Sequence, residues 1–187
     1  RQRQMCIRDR KYVESLSVDQ LKDIALYLNF DMLGSPNPGY FTYDGDQSTQ
    51  VGSGGSPPRV PEGSPGIERT FVDYLKSAGK TAEDTGFDGR SDYDGFTLAG
   101  IPAGGLFSGA EEEMSPQQAT LWGGKANAPF DPNYHKPTDT LDHVDRTAMG
   151  VNGGGVAWTV GVYAQDLGGR NGMPAREDRT RHEIADR

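Results

Sequence analysis

The chain has 187 residues, enough for one domain of ordinary size and too few for two large ones. Its 26 glycines, 12 prolines and mean hydropathy of -0.70 describe a loop-rich folded domain with a lean core. A net charge of -8 argues against a basic face for nucleic acid or anionic membrane, and no apolar run is long enough for a membrane span or a signal peptide. The single Cys6 excludes an internal disulfide and a cysteine-rich zinc knuckle.

Residues 1–11 are basic and unlike the rest of the chain. They resemble translated sequencing-adapter sequence, so they are set apart as an arm foreign to the fold, and the domain is expected over residues 12–168. Ser17-Val18-Asp19-Gln20 is a capping box, and it opens a short helix. Ala25 to Leu33 reads as a strand, apolar on both faces toward its start, which suits a covered sheet. The Gly34-Ser35-Pro36-Asn37-Pro38-Gly39 string ends it, and Tyr40 to Tyr43 is a second short strand.

Residues 45–66 are rich in Gly, Ser and Pro and are expected to be a flexible loop. Ile67, Phe71, Tyr74, Leu75 and Ala78 then fall on one helical face, ended by Gly79. Leu98 to Phe107 holds an apolar strand, and Ser115 to Trp122 is a short helix with Pro116 at its first position. Val144 to Leu167 reads as mostly helical despite Gly153-Gly154-Gly155. Residues 169–187 are rich in charge and are expected to be a disordered tail. Helices alternating with strands make the fold class α/β.

Asp31 is the most informative carboxylate. It follows an apolar strand at a Gly/Pro turn, where α/β enzymes place ligands and catalytic groups. Either it serves such a site, or it caps a turn or pairs with Arg90. His135 lies in a turn-rich loop, preceded by Tyr134 and followed by Asp139. It is either a metal ligand oriented by a carboxylate or a surface histidine. Glu111-Glu112-Glu113 on a Gly-rich loop reads as a solvated acidic patch, and Asp142-His143-Val144-Asp145 as a helix start. No serine-nucleophile elbow, phosphate-binding loop or dinucleotide fingerprint is present.

Leu28 to Phe41, with the string Asn29-Phe30-Asp31-Met32-Leu33-Gly34-Ser35-Pro36-Asn37-Pro38-Gly39, resembles metallopeptidase family twenty-eight, the di-zinc aminopeptidases of the secreted Streptomyces type. Asp88-Gly89-Arg90-Ser91-Asp92, Gly104 to Ala110, Leu121-Trp122-Gly123-Gly124 and Tyr134-His135 come in the family's order, so the resemblance covers residues 12–167. It implies a three-layer α/β/α domain with a mixed, mostly parallel sheet of zinc-exopeptidase type. It implies two zinc ions as cofactors, with Asp31 a terminal ligand of one and His135 the imidazole of the other. It makes Tyr134 the catalytic hydrogen-bond donor to the tetrahedral intermediate, and places Arg90 and Phe107 at the substrate. Asp139 is expected behind His135.

The implied activity is hydrolysis of the N-terminal peptide bond of peptides with large apolar first residues, in a secreted or extracytoplasmic monomer. A carboxylate and an imidazole are good zinc donors, and two cations acidify a shared water and polarise a carbonyl. The family's first His, bridging Asp and general-base Glu lie upstream of the strand that matches Asp31, where this chain holds no His. The sequence is therefore expected to be the C-terminal part of a peptidase, truncated at its N-terminus and inactive alone. The alternative is a metal-free binding scaffold on the same fold.

Overall fold

The computed structural model describes residues 2–49 and 60–184, and the side chains from Arg8 onward. The helices and strands among these residues are, in order, α1 (Gln2–Glu14), α2 (Val18–Asp23), β1 (Tyr27–Phe30), β2 (Phe41–Tyr43), α3 (Ser64–Ser77), β3 (Glu83–Thr85), α4 (Tyr93–Leu98), β4 (Ala103–Phe107), α5 (Pro116–Trp122) and α6 (Arg146–Gln165). The strands form one sheet in the order β1-β4-β2-β3. β1 runs parallel to β4 and β2 parallel to β3, while β2 and β4 are antiparallel. The expected mixed, mostly parallel α/β sheet is thus present.

Side chains alternate across the sheet. Leu28 and Phe30 of β1, with Leu106 of β4 and Tyr40 before β2, face α3 and pack with Ile67, Phe71 and Leu75. Tyr27, Ala103 and Tyr43 point the other way, toward Phe96 and Tyr93 of α4. Helices therefore cover both faces, giving three layers. The close approach of β1 and β4 depends on Gly105, because a Cβ there would stand 1.8 Å from the Asn29 carbonyl oxygen.

Local signals explain the short helices. The Ser17 and Ser115 side chains each accept from the third backbone N–H of the following helix, while Gln20 and Gln118 reach back, so both capping boxes are complete. Gly79, after α3, has φ +73, the left-handed turn that ends a helix.

Several boundaries differ from the sequence reading. The strand expected over 25–33 is regular only over Tyr27–Phe30, and Asp31 stands just beyond it. The strand expected from Leu98 starts at Ala103, because Leu98 closes α4. α3 starts at Ser64, inside the loop expected over 45–66, and Ser64 is buried because its hydroxyl accepts from the Ala103 N–H at 3.1 Å. Residues 50–59 of that loop lie outside the described residues. Helix α1 runs across the boundary expected at residue 11, and Val13 at its end packs with Leu21, Phe96 and Ile101.

The tail reading needs correction. Residues 169–171 and 176–178 form single 3-10 turns, Met173 joins the core under α3, and Arg179 and Arg181 are buried. Charge-rich composition suggested solvation, but arginine can instead satisfy carbonyls at a helix C-terminus. Arg179 donates to the Lys22 carbonyl at 2.7 Å, and Arg181 to those of Leu21 and Ile24 at 3.2 and 2.9 Å, all at the end of α2.

Candidate active site

The C-terminal ends of β1 and β4 and the start of β2 lie at one end of the sheet, by their register. A cavity of about 360 Å³ opens there on the face that carries Tyr27 and Tyr43. Phe41, Tyr43, Thr85 and Phe107 form its floor, and Phe130 stands over Phe41 with ring centroids 5.3 Å apart. Asp31, Arg90, Ser91 and Tyr134 come from separate stretches of chain to line it. Asp31, Arg90, Phe107 and Tyr134, all singled out from sequence, therefore share one cavity.

Asp31 is exposed to this space and held from below. Its Oδ2 accepts from Ser91 Oγ at 3.1 Å. Ser91 Oγ also accepts from Asn29 Nδ2 at 3.1 Å, and that amide donates to the Tyr43 hydroxyl at 3.2 Å. Asn29 is 2% exposed, two residues before Asp31 and so on the same sheet face. Burial, then the Asp31 charge, pushes the Tyr43 hydroxyl well above the usual tyrosine range and keeps it protonated. Met32, next to Asp31, has φ +57, and its carbonyl accepts from the Ser108 N–H at 2.7 Å, which secures the strained turn.

Arg90 is clamped by acids. Its Nη2 donates to Glu111 Oε1, its Nη1 donates to Glu112 Oε1 at 3.2 Å, and its Nε lies 3.8 Å from Asp88. The hydrogen bond to Glu111 is the main cause holding the guanidinium above its usual range, with Tyr134 and Asp88 adding to it. For Glu111, burial alone would raise the carboxyl; its own backbone N–H and Arg90 outweigh that and lower it. Glu111 and Glu112 are thus structural partners of Arg90 rather than only a solvated patch. That relation is invisible in sequence because 21 and 22 residues separate the partners.

His135 is exposed, with φ +56, and its ring stacks on Tyr134 at 3.9 Å between centroids. Asp139 is exposed on the next turn, where its N–H donates to the Lys136 carbonyl; among the described residues it makes no ion pair with His135. In kind, Asp31 and His135 suit zinc. In number they do not complete a site, since a zinc ion takes about four ligands and no group of three donors gathers around them among the described residues.

One such group does form elsewhere. Carboxylate oxygens of Asp44, Glu68 and Asp84 lie within 4.8 Å of one another. Thr42 is the β-ladder neighbour of Asp84 and lies two residues before Asp44, so this cluster sits on the α3 face, opposite the cavity. Burial, then Asp46 and Asp84, pushes Glu68 up to about 7. Sequence reading missed this cluster, whose only sequence signal is the alternation of Thr42 and Asp44.

The model of peptidase family M28 matches residues 9–160. A probable lipoprotein aminopeptidase, LpqL, from Mycobacterium tuberculosis is 74% identical over 179 residues, which is 96% of this chain and 36% of that protein. A probable leucine aminopeptidase 2 from Aspergillus oryzae is 46% identical over 156 residues, 83% of this chain and 30% of its own length. A zinc aminopeptidase from Bacillus subtilis shares the fold, with a TM-score of 0.57 at 18% identity, over 91% of this chain and 36% of that one. This chain thus spans only 30–36% of the length of these relatives. With the family model spanning most of its residues and a relative of such high identity along nearly its whole length, the chain belongs to peptidase family M28.

Proposed function

We propose that this chain supplies part of the active site of a metallo-aminopeptidase that removes N-terminal residues with large apolar side chains from peptides. The observation that carries this reading is that Asp31, Arg90, Phe107 and Tyr134 line one cavity. Zinc bound at such a site would polarise the scissile carbonyl and acidify a water. Asp31 would offer a donor to one such ion and His135 to a second, and the rest of their ligands would come from outside this pair.

The chain's own residues have distinct tasks. Ser91 fixes one oxygen of Asp31, which lines the cavity. Tyr134, in the cavity lining, would donate its hydroxyl to the oxygen that gains charge as the carbonyl is attacked. Arg90, immobilised by Glu111 and Glu112, orients the substrate backbone. Phe41, Phe107 and Phe130 take up the first side chain and exclude water from it. The name of the Mycobacterium relative supports an extracytoplasmic setting, and among the described residues no helix is long and apolar enough to cross a membrane.

The test is hydrolysis of leucine anilide. In the whole protein, Tyr134→Phe should lower kcat by about 10²–10³, the usual cost of losing a donor to the oxyanion, and Asp31→Ala should abolish zinc-dependent turnover. The 187-residue chain supplied with zinc should show no turnover above its Asp31→Ala control. Full activity in both whole-protein variants would overturn the assignment.

A further inference from the structure

We propose that the cavity selects first residues with a long apolar stem and a cationic head, lysine and arginine, and that Glu113 is the residue that recognises the charge. This inference rests on the reading of the cavity as the site for the substrate's N-terminal residue. It adds a class of side chain to the large apolar ones.

The strand order sets the direction. Asp31 follows β1 at one edge of the sheet, and β3 is the other edge, with β4 and β2 between. At a strand spacing of about 4.8 Å the floor extends about 14 Å from one side to the other. Asp31 and Tyr134 mark the end where bond cleavage is assigned. Phe107 and Phe41 are ladder neighbours in the middle. Beyond Phe41 comes its other ladder neighbour, Glu83 of β3, whose carboxylate accepts from Gln118 Nε2 at 2.8 Å. Gln118 lines the cavity too, and Glu113 stands just before Met114, which packs with Phe41 and Phe130. A side chain entering from the Asp31 end would cross aromatic rings and finish beside Glu113 and Gln118.

Charge sets the preference. Asp31, Asp88, Glu112 and Glu113 line the cavity, and among the described residues Arg90 is the one cation in its lining. Arg90 is already engaged by Glu111 and Glu112, so it does not neutralise Glu113. Among the described residues the Glu113 carboxylate has no ion-pair partner and is exposed to solvent. Phe rings accept an aliphatic stem and favour a cation at their faces, while a nearby carboxylate anchors the head. A glutamate or aspartate first residue would meet only like charge there.

Nitrogen-15 NMR titration of the 187-residue chain with three amides tests this. L-lysinamide and L-norleucinamide have stems of similar length, and Nε-acetyl-L-lysinamide keeps the length without the charge. Lysinamide should bind about fivefold more tightly than the other two, the scale of a solvent-accessible charge pair. Glu113→Gln should bring the lysinamide-to-norleucinamide ratio to about one. Equal affinities in the wild type, or a lysinamide preference that survives in Glu113→Gln, would overturn the inference, and shifts at Phe41 and Phe107 with norleucinamide would show the cavity reading still standing. Absence of shifts with all three amides would overturn both.

Discussion

Ser91 Oγ lies 3.1 Å from Asp31 Oδ2, and the same oxygen lies 3.1 Å from the buried amide of Asn29. One hydroxyl therefore ties the exposed carboxylate to the interior of the sheet. It accepts from the Asn29 amide while its proton goes to Asp31 or to Asn29 Oδ1 at 3.3 Å. The rim of the cavity and its buried support are joined at this point.

Ser91→Ala should cost about 1–3 kcal/mol, because the buried Asn29 side chain loses a hydrogen-bond partner. Urea denaturation of the chain would measure it. Ser91→Thr keeps the hydroxyl and should recover part of the loss. If Ser91→Ala left stability unchanged, the support assigned to Asn29 would be wrong.

Glu68 gives stability a pH dependence. Its carboxyl is raised from 4.5 to about 7 in the fold by burial, then by Asp46 and Asp84. Between these values the folded chain holds a proton that the unfolded chain has released. Folding therefore binds protons in this window, and stability falls as pH rises through it. Glu68→Gln should flatten that slope and raise Tm at about pH 8 in metal-free buffer. Thermal melts from about pH 4 to about pH 8 would show it. A variant with an unchanged slope would assign the effect to other groups.

Arg181 should matter more than its place near the end of the chain suggests. The residue is 7% exposed, and its guanidinium donates to the carbonyls of Leu21, Ile24, Gly100 and Thr180, with no carboxylate among these partners. Burial, then Arg179, lowers its pKa to about 10, so it remains charged at neutral pH. Arg181→Ala would leave several carbonyls unpaired, at a cost of about 2–3 kcal/mol. Hydrogen exchange should then speed up at Met173 and Arg179 before it does in β4. Arg181→Lys should be intermediate, since a single ammonium cannot reach all these oxygens. Unaltered exchange in Arg181→Ala would show that the remaining contacts, among them Met173 in the core and Arg179 on the Lys22 carbonyl, hold the tail without it.

Local chemistry was legible in the chain itself. Ser17-x-x-Gln20 and Ser115-x-x-Gln118 each carry both halves of a capping box, and Gly79 supplies the backbone freedom that ends α3. The apolar spacing of Ile67, Phe71 and Leu75 identified the face that meets the sheet, because a helix repeats about every 3.6 residues whatever surrounds it. The segments around Asp31, Arg90, Phe107 and Tyr134 also pointed to the family by residue type and order. Their meeting in one cavity was decided by tertiary structure, since it depends on the β1-β4-β2-β3 order that brings distant strand termini to one end of the sheet. The arginines of the tail were misjudged for the same reason. Composition counts a guanidinium as solvated, and only the folded chain shows Arg179 and Arg181 against the open carbonyls at the end of α2, where hydrogen bonds replace water.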